Sequence, residues 1–108
     1  MMILMHLYYQ GKPGQAKKFV KEMMESGLVE KIRNEPGNLQ YEYFIPFDKE
    51  DTILLVDRWE NQKALDYHHQ LPIMDQISTL RNKYDLHMEV ERYQDDQISN
   101  HDQQFIRK

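Results

Sequence analysis

The chain has 108 residues, of which 40% are hydrophobic and 30% charged, a composition that fits one folded domain and excludes a disordered or fibrous segment. Lys plus Arg number 14 against 18 Asp plus Glu, so the formal net charge is -4 and no basic run marks a nucleic-acid ligand. There is no cysteine, which excludes disulfides, thiolate nucleophiles and Cys-ligated metal centres.

Ile3, Met5, Leu7 and Tyr9 alternate with Leu4, His6 and Tyr8, the period of a first strand. No positive segment precedes this stretch and no small-residue cleavage site follows it, so it reads as a strand rather than a leader, and a cytoplasmic protein is expected. The longest uninterrupted apolar run, Ile53 to Val56, is far short of the roughly 20 residues a bilayer requires, so no membrane partner is expected.

Gly11-Lys12-Pro13-Gly14 breaks the first strand. From Gln15 to about Arg33, Ala16, Phe19, Val20, Met23, Met24, Leu28 and Ile32 recur at helical spacing, with Lys17, Lys18, Lys21, Glu22 and Glu25 opposite. Gly27 marks a kink or an early end of that helix. Glu35-Pro36-Gly37-Asn38 is a turn. Leu39, Tyr41, Tyr43 and Ile45 form one face of a second strand. After a polar hairpin loop, Thr52 to Glu60 is a third, with Ile53, Leu55, Asp57 and Trp59 on one face. Asn61 is placed to cap a helix over Gln62 to Gln70 that turns Ala64, Leu65 and His68 the same way. Pro72 ends it. Ile73, Ile77, Leu80 and Tyr84 mark a further helix, and Leu86, Met88 and Val90 a last strand ending near Tyr93. Residues 95–108 are a polar tail with isolated Ile98, Phe105 and Ile106. The domain proper is residues 1–94.

This order is β-α-β-β-α-β, the ferredoxin-like arrangement: an α+β domain with a four-stranded antiparallel sheet and its helices on one face. The helix-facing parity is Ile3, Met5, Leu7 and Tyr9; Leu39, Tyr41, Tyr43 and Ile45; Ile53, Leu55 and Trp59; Leu86, Met88 and Val90. The other parity mixes Leu4, Phe44, Leu54 and Val56 with His6, Gln40, Glu42, Arg58, Glu89 and Glu91. It is too apolar to stay wet and too charged to be a monomer's core, so a homodimer with sheets face to face is expected.

Three strings then bear on family. They are Lys12-Pro13-Gly14; Arg33-Asn34-Glu35-Pro36-Gly37-Asn38 followed by Tyr41; and Asp57-Arg58-Trp59-Glu60-Asn61 followed by Ala64-Leu65, His68 and Pro72. Over residues 2 to 93 the chain resembles the antibiotic biosynthesis monooxygenase family of dimeric α+β barrel proteins. The likeness is closest to the branch of small quinol monooxygenases and autoinducer-2-degrading enzymes. The resemblance implies a cofactor-free oxygenase with a small-molecule site between helices and sheet. It maps the family pattern onto Trp59 and His68, with Asp57 where many members carry an acidic residue. Ile73 stands where many close relatives have a second His, and the later helix lacks the His that haem-degrading relatives use as a ligand.

The residues themselves support this chemistry. A neutral His68 on the apolar stripe of its helix can take a proton from a phenolic or enolic group, and the resulting anion can pass an electron to oxygen. Asp57, on the Trp59 face, needs a buried partner, with His68 or a helix N–H near Asn61 as the options. Trp59 offers a flat wall to an aromatic substrate. Tyr41 and Tyr43, and more weakly Tyr9, can orient a substrate oxygen. No His and carboxylate set has metal-ligand spacing and no Gly-rich phosphate loop is present, so neither metal nor cofactor is expected. Two rivals use the same pocket: an isomerase or tautomerase of a small carbonyl signal molecule, and a binding protein without turnover.

Overall fold

A computed structural model describes all 108 residues. It contains β1 (Ile3–Gln10), α1 (Gln15–Glu25), α2 (Leu28–Arg33), β2 (Asn38–Phe44), β3 (Thr52–Trp59), α3 (Gln62–His69), α4 (Ile73–Lys83), β4 (His87–Gln94) and a short α5 (Asn100–Gln103). The sheet order is β2-β3-β1-β4 and every neighbouring pair is antiparallel. The expected ferredoxin-like α+β fold is what the chain adopts.

Local chemistry explains the boundaries. Gly27 adopts φ 83, a left-handed conformation open to glycine, and divides the long amphipathic segment into α1 and α2. Asn61 is extended and its side chain accepts the Ala64 N–H at 2.9 Å, starting α3. Pro72 stands at the N-cap of α4, where a missing N–H leaves no bond unmade.

The core lies between the helices and one sheet face. Phe19 and Met23 of α1, Val29 and Ile32 of α2, Leu65 of α3 and Ile77 of α4 pack on Ile3, Tyr9, Tyr41, Leu55 and Trp59. Three details correct the sequence-based parity. Leu39 is 55% exposed because the β2–β3 register shifts between Asn38 and Gln40, so that one extra residue bulges out of the ladder. Ile45 lies past the end of β2 and is also exposed. Met88 and Val90 pair with Tyr9 and Leu7 and so have the expected parity, yet they are exposed, as is every residue of β4. This strand is the sheet edge, and no helix makes extensive contact with it.

The opposite sheet face is uncovered. Leu4, His6 and Tyr8 of β1 and Leu54, Val56 and Arg58 of β3 are half-buried there without any layer above them. Glu42, Phe44, Glu89, Glu91 and Tyr93 flank them. No helix is long and apolar enough to cross a membrane.

Candidate active site

Trp59 is the last residue of β3 and points into the core; His68 is in the last turn of α3 and points at it. Their ring centroids are 4.7 Å apart with the planes tilted by 30°. Trp59 is wholly buried and His68 is 3% exposed. The helical period places His68 one turn beyond Ala64 and Leu65, on the side that packs on the sheet. Its neighbour His69 is turned outward to solvent.

The partner of His68 is one that sequence reasoning did not single out. His68 Nδ1 lies 2.7 Å from Glu35 Oε1, and the two side chains are only 4% and 9% exposed. Glu35 belongs to the turn between α2 and β2, where a carboxylate ordinarily faces water. The turn is drawn inward because Gly37, at φ 82, brings the backbone against α3, and its carbonyl accepts the Glu60 N–H at 2.8 Å. The one signal in the sequence is the Glu-Pro-Gly string itself, which reads as a turn and says nothing of what its side chain meets.

Asp57 is buried two residues before Trp59 on the same face of β3, opposite Tyr41 of β2 and Met5 of β1. The Asp57–His68 bond weighed from the sequence is not formed: the imidazole bonds Glu35 through Nδ1, and Asp57 Oδ1 has no partner. Asp57 Oδ1, Trp59 Nε1, Tyr43 Oη and Glu35 Oε2 are all buried without a hydrogen-bond partner. Unmet polar atoms are rare in a protein interior, and here one belongs to Glu35, the partner of His68, and one to Trp59, which stacks on it.

Burial governs the electrostatics. It raises the Glu35 carboxyl to about 7 and lowers His68 to about 4. Burial likewise lifts Asp57 to about 7, with the Glu35 charge adding to the rise. Removing a charged group from water without a full counter-charge favours its neutral form. Burial also pushes the Tyr9 phenol up to about 12, and Tyr41 and Tyr43 upward as well, so all three remain protonated donors at neutral pH. Tyr41 and Tyr43 meet edge to face at 5.8 Å, and Tyr9 packs on Phe19 at 5.1 Å. The three tyrosines thus line the interior on the Asp57 side, while Trp59, His68 and Glu35 form a tighter group at the end of β3.

No group of three His, Asp or Glu residues is arranged to hold a metal ion. None of the five main cavities is lined by Trp59, His68 or Asp57. The resemblance implies a site between helices and sheet, and none of these main cavities opens there on the three residues. A cavity of about 340 Å³ lies on the outer side of the same turn, bordered by Pro36, Gly37, Asn61, Ala64 and Tyr67.

The sequence profile of the antibiotic biosynthesis monooxygenase family (ABM) matches residues 2–79. The chain belongs to this family. The match includes Glu35, Asp57, Trp59 and His68, so the whole group lies within the family domain of this ABM chain. It is 30% identical over 69 residues to the Bacillus subtilis (strain 168) protein named "Putative monooxygenase YcnE", an alignment covering 64% of this chain and 70% of that one. Two solved structures share the ABM chain's fold. A Deinococcus radiodurans protein described by the same family name superposes with a TM-score of 0.76 at 17% identity, covering 91% of this chain and 96% of the other. SnoaB, a cofactor-independent oxygenase from Streptomyces nogalater, superposes with a TM-score of 0.73 at 12% identity, covering 92% and 97%.

Proposed function

We propose that the chain is a cofactor-independent monooxygenase acting on a small quinol or enol-type compound, with His68 as the base. The observation that carries this reading is the buried imidazole stacked on Trp59 with Nδ1 held by Glu35. Holding Nδ1–H on a carboxylate fixes the tautomer and leaves the Nε2 lone pair to the substrate. Trp59 supplies an aromatic wall beside that nitrogen, and Asp57 with Tyr41, Tyr43 and Tyr9 supplies hydrogen bonds to a second substrate oxygen.

The chemistry balances with dioxygen as the only co-substrate. The substrate O–H bond breaks and its proton passes to Nε2. The anion gives one electron to O₂, and the organic radical and superoxide combine in a new C–O bond. The peroxide takes the proton back from Nε2, and breaking the C–H bond at the same carbon together with the O–O bond expels one water and leaves a quinone that carries one oxygen atom of O₂.

A second reading, isomerisation of a small carbonyl compound, is favoured by the same pair, since Glu35 and His68 move protons and nothing in them is confined to oxygen chemistry. Oxygen uptake against a panel of hydroquinones and dihydroxynaphthalenes separates the two. We expect uptake by the wild type and a loss of at least about tenfold in His68→Ala, equivalent to roughly 1.4 kcal/mol of transition-state stabilisation. Equal turnover in the variant removes His68 from the mechanism.

The working unit in this proposal is a homodimer joined through the uncovered sheet faces. Support comes from the half-buried Leu4, Tyr8, Leu54 and Val56 on that face, set among Arg58, Glu42, Glu89 and Glu91. Pairing two such faces about a two-fold axis hides the apolar strip and lets opposite charges meet.

A further inference from the structure

We propose that Glu35, acting through His68, is where the substrate's proton comes to rest, so that the imidazole relays the proton and does not hold it. The inference rests on the reading of His68 as the base and goes beyond it by assigning the negative charge of the resting site to Glu35.

The step is a paired transfer. The substrate O–H breaks as Nε2–H forms, and Nδ1–H breaks as the proton joins Glu35 Oε1 across the 2.7 Å contact. The imidazole begins and ends neutral, with its proton on the other nitrogen. The negative charge moves from the Glu35 carboxylate to the substrate oxygen. No new pair of charges is created in the protein interior, where separating charge is costly.

The surroundings of Glu35 make it a receptive acceptor. Its only ion-pairing partner is His68. Oε2 is buried and bonded to nothing, so the carboxylate lacks the hydrogen bonds that hold ordinary carboxylates ionised. From the preceding helix, Arg33 commits its Nε–H to the Tyr41 carbonyl at 2.8 Å. From β3, the neighbouring group is Asp57, an acid of the same charge sign, which Glu35 pushes toward its neutral form and which offers Glu35 no counter-charge. From α3, His69 lies next to His68 but faces solvent. Burial places Glu35 at about 7 and His68 at about 4, so the carboxylate is the stronger base of the two, the reverse of an exposed pair. In hydrolase triads the buried carboxylate stays ionised throughout. Here the balance falls the other way.

Glu35→Gln separates relaying from mere positioning. The amide oxygen still accepts Nδ1–H and preserves the tautomer, but it cannot take the proton. The expected result is an unchanged ¹⁵N signature of the His68 ring together with a fall in quinol-dependent oxygen uptake of about 100-fold, the lower range of general acid–base contributions. Wild-type turnover in Glu35→Gln overturns the relay and leaves His68 as the base. A direct test needs neither activity nor the variant. On acidification from pH 8, the infrared carbonyl band of a protonated carboxyl should grow before ¹⁵N NMR reports an imidazolium at His68. An imidazolium forming first overturns the proposal, whereas a wild type that consumes no oxygen overturns the functional reading beneath it.

Discussion

Gly37 and Ala64 are in such close contact that a Cβ added to Gly37 would stand 2.5 Å from the Ala64 Cβ. Gly37 ends the turn that carries Glu35, and Ala64 lies in the first turn of the helix that carries His68. The two smallest side chains in the alphabet therefore set the distance between a turn and a helix, and with it the 2.7 Å contact between residues 33 apart in sequence. Any Cβ at Gly37 meets both this contact and a φ of 82, which L side chains rarely adopt.

Gly37→Ala is expected to lower stability by about 1–3 kcal/mol, since overpacking and left-handed strain act together. It should also loosen the Glu35–His68 bond. Chemical denaturation measures the first effect and the ¹⁵N signature of His68 the second. Adding Ala64→Gly should recover part of the loss by relieving the clash. A double variant as unstable as the sum of the two single ones would show that the contact is not the cause.

Trp59 is the only tryptophan, which makes it an internal probe of the site. Because it is wholly buried, its emission should be blue-shifted and resist quenching by acrylamide in the native protein. A maximum near that of tryptophan in water would contradict the stacking on His68. Trp59→Ala is expected to cost about 3–5 kcal/mol by removing the largest side chain of the core.

Stability should depend on pH through three buried groups. Asp57 and Glu35 titrate near 7 in the fold, above their ordinary values of 3.8 and 4.5. Their folded forms hold protons that the unfolded chain has released, so their contribution is full at low pH and is lost as pH rises from about 4 through 7. His68, lowered from 6.5 to about 4, acts in the opposite sense and costs stability as pH falls through that window. Asp57→Asn removes one of the two carboxyl contributions. Relative to wild type, its melting temperature should rise between pH 5 and pH 8. A difference that stays constant with pH would mean that Asp57 ionises normally.

If the uncovered sheet face is the dimer interface, Val56→Glu should yield monomers. Val56 sits centrally on that face, between His6 of β1 and Glu42 of β2. The added carboxylate would meet Glu42 and its two-fold copy with no apolar partner left. Light scattering behind size exclusion measures the mass. A wild type already monomeric at micromolar concentration refutes the interface, and a dimeric Val56→Glu places it elsewhere.

The sequence by itself determined what depends on neighbours along the chain. Alternation and the 3.6-residue period set the element order, Gly27 the break between α1 and α2, and Asn61 the start of α3; the same periods turned Trp59 and His68 toward the core. What it could not decide were relationships across the fold. Glu35 reads as a wetted turn residue until Gly37 packs on Ala64, because its partner lies on a helix that follows two further strands. Leu39 follows the strand period but is expelled by a bulge, whose register depends on β3. Met88 and Val90 follow it as well, yet stay exposed because the helices do not extend over the edge strand. Local periodicity states which way a side chain points, and only the packed structure decides what stands there to meet it.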